Sequence, residues 1–445
     1  MRKLLAIWAG KSVTLVGKLL KKRTSAAPGQ IALKICPDMI KDIRSHINKG
    51  IIVTCGTNGK TTTNNLIATA LEAKGYKVIC NRIGANMLSG VVTTYVEAAN
   101  IFGKFKADYA CFEIDEAYAR VVFDYFTPDT LVITNLFRDQ LDRYGEVDIT
   151  SNLIRDAIRK CPDLKLVLNG DDPLCVQFGN EKTALPSYYG ISEQALEQTC
   201  DTKEGRFCPL CGEALNYNYY HYSQLGDFVC PSCDFKRPGI DFEVKDVSLK
   251  SPMSFSINNQ AVTINQKGFY NIYNIAAVYG ALTVSEESTE NFEALFKEYK
   301  PQTGRMQEFN FNKPVILSLS KNPAGFNQAI STVNTDTIKK DVIIAINDAP
   351  SDGQDISWLW DVDFDKLKDK NLNTLTTSGI RMWDVSLRFK YADILPDLTT
   401  EDMKFAITRA LQTDSEIVYV LVNYTAMYPT ETTLNEMLKE GGYEN

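Results

Sequence analysis

An apolar, β-branched run, Ile51-Ile52-Val53-Thr54-Cys55, passes directly into Gly56-Thr57-Asn58-Gly59-Lys60-Thr61-Thr62-Thr63 and then into a helical pattern. A strand, a glycine-rich turn and a helix in that order constrain the fold strongly, because such a turn sits at the carboxyl end of a strand in a helix-covered sheet. The arrangement aims backbone N–H groups at phosphate oxygens, brings the Lys60 ammonium to the terminal phosphates and offers the Thr61 hydroxyl to Mg²⁺. Gly56, Thr57, Asn58, Gly59, Lys60, Thr61 and Thr62 are therefore the expected nucleotide-binding residues, with ATP as the nucleotide. In the general pattern the first glycine would fall at Thr54, so GTNGKT is a narrower variant. A plain Gly-Asn turn with an exposed lysine is the bland alternative, and the flanking strand and helix argue against it.

With 445 residues the chain can bury two or three cores of ordinary domain size. A net charge of -7 argues against duplex nucleic acid as the main partner. Cys36, Cys55, Cys80, Cys111, Cys161, Cys175 and Cys200 are scattered without a disulfide framework, which fits a reducing cytoplasm.

The first 24 residues differ from the rest. Arg2, Lys3, Lys11, Lys18, Lys21, Lys22 and Arg23 occur there with no acid, interleaved with leucines, valines and Trp8 in a helical rhythm. No run reaches the roughly 20 apolar residues that span a bilayer. Lys11 interrupts the apolar run and no small-residue cleavage site follows, which speaks against a secretory signal. Residues 1–40 are expected to form an amphipathic segment, packed on the body of the protein or lying at an anionic membrane surface.

Strand-like runs at 51–55, 77–80, 108–112, 130–134 and 165–168 alternate with helical patterns and predict a parallel-rich α/β sheet in a central ATP-binding domain, 41–303. Between about 202 and 240 the rhythm breaks. Cys208-Pro209-Leu210-Cys211 and Cys230-Pro231-Ser232-Cys233, with 18 residues between them, supply four thiolates for one tetrahedral Zn²⁺ in an inserted ribbon. Four protein ligands leave no position for water, so this zinc is structural. From 304 to 445 a second alternation, with strands near 314–319, 341–346 and 417–422, predicts a C-terminal α/β domain.

The variant GTNGKT resembles the Mur ligase family, and other pieces agree in the family's order. They are Phe112-Glu113-Ile114-Asp115-Glu116, Ile133-Thr134-Asn135 continuing to Gly145, Asn169-Gly170-Asp171-Asp172-Pro173, Phe269-Tyr270-Asn271-Ile272-Tyr273-Asn274 and Gly304-Arg305-Met306-Gln307-Glu308. The resemblance implies a Mur ligase-like P-loop fold in which Glu113 and Thr61 hold Mg²⁺, Asn271 and Asn274 lie near the nucleotide, and Lys60 and Arg305 act in catalysis. A guanidinium fork such as that of Arg305 suits a transferring phosphoryl group. Read from residues alone, Glu113 could equally end a solvated strand, NGDDP be a plain turn and the asparagines cap a helix. Two departures alter the family's second metal site: Gln140 replaces a metal-binding histidine, and Arg155 stands near the place of a carbamylated lysine.

About fifty residues precede the loop, fewer than in members that bind a soluble UDP-linked substrate. That feature, the zinc insertion and the C-terminal region resemble the amidating branch of the family. The resemblance implies a heterodimer with a GatD-like glutamine amidotransferase, which converts the α-carboxylate of D-glutamate in lipid II to D-isoglutamine during peptidoglycan biosynthesis, at the inner face of the membrane. With only His46 and His221 in the chain, a complete Cys-His glutaminase site is not expected, and a partner must supply ammonia. Asp355, in Asp352-Gly353-Gln354-Asp355-Ile356, is implied to complete the partner's Cys-His pair; an ordinary acidic turn fits the same residues. Two further readings stand open: a self-contained ligase that adds an amino acid, and a zinc-ribbon binding module that senses nucleotide.

Overall fold

The structure, a computed structural model, describes all residues except 21–23, 83, 139–146, 182–183, 197–204, 251, 297–303 and 442–445. Gln140 lies outside the described residues. The chain divides into two compact units. The first comprises Met1–Phe137, Val147–Asn265 and residues from Tyr270 to 296; the second comprises residue 138, Gln266–Phe269 and the described residues from 304 onward. Residues 1–40 thus belong to the first unit and form no body of their own.

The first unit is built on a nine-stranded sheet in the order β11-β10-β9-β6-β5-β4-β1-β3-β2. Its strands are β1 (Ile47–Cys55), β2 (Val78–Cys80), β3 (Ala107–Glu113), β4 (Thr130–Ile133), β5 (Leu164–Asn169), β6 (Ala184–Ile191), β9 (Phe242–Ser248), β10 (Met253–Ile257) and β11 (Gln260–Ile264). From β2 to β9 the pairing is parallel, and β9, β10 and β11 pair antiparallel. The central strands are apolar because both faces are covered: Ile51, Val53 and Cys55 join one core with Phe112, Leu131 and Leu166. The chain leaves β1 toward β3 and β2 on one side and returns to β4 on the other, so the turn after β1 lies at a topological switch point. A separate hairpin, β7 (Asn216–Tyr222) and β8 (Leu225–Val229), falls in the expected insertion.

Six helices matter here: α1 (Arg2–Leu19), α2 (Ala27–Ile35), α3 (Lys60–Ala73), α4 (Leu88–Ala98), α5 (Val147–Arg159) and α6 (Tyr270–Val284). Helix α1 lies against α2 and α4 through small residues. A Cβ on Gly10 would come within 2.9 Å of Val96 and 3.2 Å of the Pro28 carbonyl, and one on Gly29 within 1.9 Å of the Ser89 carbonyl. No helix among the described residues is long and apolar enough to cross a membrane.

The second unit holds a six-stranded sheet, β12-β13-β17-β14-β15-β16. Its strands are β12 (Gln307–Asn310), β13 (Pro314–Leu319), β14 (Lys340–Ala345), β15 (Leu372–Ser378), β16 (Leu398–Thr399) and β17 (Ile417–Val422). Alternation along them feeds two cores, with Ile316, Val342, Ile344 and Tyr419 on one face and Val315, Leu317, Ile343 and Val420 on the other.

Candidate nucleotide site and metal centre

The turn after β1 is fixed by the end of β4. Thr57 N–H donates to the Asn135 carbonyl at 2.8 Å, Asn58 N–H to Asn135 Oδ1 at 2.9 Å, and the Thr134 hydroxyl to the Asn58 carbonyl at 2.7 Å. Two glycines are required by space as well as conformation. Gly56 has φ of 122° and a Cβ there would sit 2.2 Å from Thr134 Oγ1; Gly59 has φ of 83° and a Cβ there would sit 2.3 Å from Asn274 Oδ1. Asn274 thus lies against the loop from α6, receives the Thr63 hydroxyl at 3.3 Å and donates to Asn271 Oδ1 at 3.0 Å. Lys60, Thr61 and Thr62 open α3, whose first turn leaves its N–H groups to the site.

Lys60 is buried, and its ammonium donates to Glu116 Oε1 at 2.7 Å and to the Gly56 carbonyl. Burial penalises that charge, but the carboxylates of Glu116, Asp115 and Glu113 outweigh the penalty and hold the Lys60 pKa above the usual lysine range. Glu116 Oε1 also accepts from Gly56 N–H at 2.8 Å. A carboxylate therefore holds the positions that a phosphate oxygen would take. Burial pushes the Glu116 carboxyl up, against the pull of Lys60.

Glu113 ends β3 and is buried, and its Oε2 is among the buried side-chain oxygens that lack a hydrogen-bond partner among the described residues. A Cβ on Gly84 would lie 3.6 Å from Thr61 Oγ1 and 3.7 Å from Glu113 Oε2, so both oxygens look into one small space. An orphaned carboxylate oxygen beside a threonine hydroxyl is a donor set that fits a hard divalent cation such as Mg²⁺.

The NGDDP turn braces this loop from behind. Asp172 accepts from Leu136 N–H at 2.8 Å and Leu174 N–H at 3.0 Å, and Asn169 donates to the Thr134 carbonyl at 3.0 Å. Complete burial raises the Asp172 pKa to about 6 against these hydrogen bonds. Asp171 is held by Arg237 at 2.7 Å and by the Tyr273 hydroxyl at 2.7 Å.

In the insertion, Cys208, Cys211, Cys230 and Cys233 bring their sulfurs within 4.8 Å of one another, with Cys208–Cys233 at 3.6 Å and Cys211–Cys230 at 3.5 Å. A tetrahedron with metal–sulfur bonds of about 2.3 Å has edges of about 3.8 Å, so the four thiols fit one zinc-like ion. Beneath them Leu215, Phe228 and Phe235 form a small core.

Comparison with known proteins agrees with this geometry. A family model described as the Mur ligase middle domain matches residues 53–228, and one described as MurT ligase C-terminal matches 319–427. The lipid II isoglutaminyl synthase (glutamine-hydrolyzing) subunit MurT of Staphylococcus aureus strain COL is 34% identical over 99% of this chain and 100% of its own. The MurT subunit of Streptococcus pneumoniae strain R6 is 34% identical over 95% of each. The chain belongs to the MurT family.

Solved structures carry the same fold. A pseudomurein peptide ligase type C from Methanothermus fervidus superposes with a TM-score of 0.71 at 22% identity, over 92% of this chain and 84% of that one. MurF ligase from Thermotoga maritima, in complex with ADP, gives 0.61 at 13% identity over 92% and 84%. Both share the Mur ligase architecture that the MurT family builds on.

The first unit brings together the whole loop, Glu113, Asn271 and Asn274. Arg305 and Asp355 belong to the second unit. Arg305 is half-buried and follows Gly304, whose φ is 74°. Asp355 is exposed after β14 and accepts from Ser357 N–H at 2.8 Å, which lowers its pKa. Arg155 pairs with Glu181 at 3.0 Å. His46 is engaged by the Tyr95 hydroxyl and the Phe105 carbonyl, and His221 by the Tyr273 hydroxyl and the Glu193 carbonyl, the settings of structural histidines. Sequence reasoning missed Glu116 as the partner of Lys60; the signal was present, since a third acid in Glu113-Ile114-Asp115-Glu116 stands just past the strand end.

Proposed function

We propose that this chain is the ATP-using subunit of a lipid II isoglutaminyl synthase, amidating the α-carboxylate of D-glutamate in lipid II. Identity at 34% along essentially the whole chain to MurT supports the reaction, and the buried Lys60 beside the loop amides supports the phosphoryl chemistry. A carboxylate resists ammonia, so the γ-phosphoryl of ATP is first transferred to it; ADP leaves, ammonia attacks the acyl phosphate carbon, and phosphate departs. Lys60 and the loop N–H groups would stabilise charge on the transferring group, and Asn271 and Asn274 would shape the nucleotide side of the site. Glu113 and Thr61 would hold Mg²⁺, which supplies charge neutralisation at the phosphates. Arg305 would act on the transferring phosphoryl group, which its guanidinium fork suits. The thiols of Cys208, Cys211, Cys230 and Cys233 would hold a structural zinc. We assign ATP binding to 41–303 and a C-terminal α/β domain to 304–445.

Ammonia would come from a GatD-like glutaminase, with Asp355 orienting its catalytic histidine. Exposed apolar side chains on the second unit support such docking, among them Trp360 and Tyr391, whose rings lie 5.2 Å apart. Because the substrate is lipid-linked, the enzyme would work at the cytoplasmic face of the membrane. Phosphate release with lipid II and ATP tests the reading. Turnover is expected with ammonium or with glutamine plus partner, and to vanish in Lys60→Ala; turnover driven by free amino acids instead would replace it with an amino-acid ligase.

A further inference from the structure

Helix α1 is built inside out for a soluble protein. Its inward face is small, with Ala6, Gly10 and Gly17 buried beside Ile7, and its outward face is large and apolar: Leu5, Trp8, Leu15, Val16 and Leu19 are all exposed, Leu15 by 60% and Leu19 by 74%. At 3.6 residues per turn, positions 5, 8, 12, 15, 16 and 19 fall within about 100° of the helix circumference, a continuous strip on a rod about 27 Å long. Only Ser12 interrupts it. Ordinary amphipathic helices turn that strip toward the core. Beside it the loop after α4 presents Ile101 and Phe102, the latter 70% exposed, and the Trp8 indole N–H donates to the Ile101 carbonyl at 2.8 Å, tying loop and helix into one surface.

The charges around the strip identify its occupant. Arg2 lies along one border and Lys11 and Lys18 along the other, with Lys104 and Lys106 exposed by the loop. Of the nearby acids, Asp42 is held by Lys3, and Glu97 faces Lys11 and Lys18. A chain of net charge -7 thus carries a locally basic rim around its exposed apolar strip. A protein partner fitting that strip would need a groove about 21 Å long, whereas an apolar strip with basic borders, lying flat, is the composition that buries into the headgroup boundary of an anionic bilayer.

We propose that the outer face of α1, together with the Ile101-Phe102 loop, is a docking surface for an anionic lipid bilayer. The inference rests on the proposed function for its purpose, since a lipid-linked substrate calls for a membrane-seated enzyme, but the binding itself is measurable without substrate.

The full-length protein, free of nucleotide, is sedimented with vesicles of phosphatidylglycerol and phosphatidylcholine and with phosphatidylcholine alone. Binding is expected to be at least about tenfold stronger to the anionic vesicles, to weaken with salt, and to fall about tenfold in Leu15→Glu/Leu19→Glu. Phe102→Glu, outside the helix, and Lys11→Glu/Lys18→Glu are expected to weaken binding several-fold, and they carry the test if the leucine variant fails to fold. Absence of wild-type binding, or equal binding by folded variants, overturns the proposal. So does a variant that changes the protein's own mass in solution or loses a purified glutaminase partner, since the strip would then be a protein interface. Ammonium-driven amidation of detergent-dispersed lipid II separates the two claims: activity without vesicle binding removes only the docking surface, and vesicle binding without activity removes only the proposed reaction.

Discussion

Replacing Glu116 by glutamine would take one charge out of the nucleotide loop while keeping its shape and an oxygen that can still accept from Gly56 N–H. Breaking a buried ion pair from one side costs about 3–5 kcal/mol. Here Lys60 retains the Gly56 carbonyl, an amide oxygen and the negative fields of Asp115 and Glu113, so a loss near the lower figure, about 3 kcal/mol, is expected in urea unfolding. Because the Lys60 pKa is raised, its contribution is complete at any pH below the usual lysine value and fades only as pH climbs through the raised one; a measurement at neutral pH captures it fully. Nucleotide binding should move the other way. In the wild type a phosphate must displace the Glu116 carboxylate from both Lys60 and the Gly56 amide, and glutamine competes less well, so titration with a fluorescent ADP analogue should show affinity improved by about tenfold, roughly 1.4 kcal/mol. Weaker nucleotide binding with an unchanged urea midpoint would refute the reasoning and make Glu116 a ligand of the nucleotide or its metal.

Three other outcomes are expected. Metal analysis should find one zinc per chain, and Cys230→Ser should lose it and lower the thermal midpoint; freshly purified wild type without zinc would contradict the ribbon. Asp355→Asn should abolish glutamine-driven amidation yet spare the ammonium-driven reaction and complex formation, and equal loss of both would move Asp355 into the ligase chemistry. The raised Asp172 pKa, about 6 in the fold, means that its contribution to stability is greatest below the unfolded value near 4 and shrinks by about 3 kcal/mol as pH rises past 6. Asp172→Asn should therefore cost more at pH 4.5 than at pH 7.5, and a penalty that grows with pH would show the assignment to be wrong.

Local chemistry made much of this readable in advance. The loop was legible because Gly56 and Gly59 stand where positive φ and close neighbours exclude a Cβ, and the four cysteines because metal-ligand spacing is short-range. The strands at 51–55, 130–134 and 417–422 announced themselves as runs buried on both faces. Strands β6, with a proline, and β15, rich in threonine, carry no such signature; pairing with β5 and β14 makes them strands. The Glu116–Lys60 pair, 56 positions apart, depends on the register that sets Thr54 beside Glu113, which no local pattern encodes. Nor could periodicity tell which face of α1 turns inward; Gly10 decided that, through close approach to Val96 and Pro28.

The hairpin of the four-cysteine insertion ends in a reach across the fold. Gln224, in the turn between β7 and β8, is fully buried and donates to the Leu136 carbonyl at 2.7 Å and to Asp172 at 3.2 Å, while Gly226 N–H meets the Asp171 carbonyl at 2.9 Å. Leu136 adjoins Asn135, the residue that pins Thr57 and Asn58. An apparent ornament is thus a wedge behind the phosphate loop, and trimming it would unseat the wedge along with the ribbon. With the proposed zinc held by the four thiols, a chelator would reach the loop from a distance, through Gln224 and Leu136.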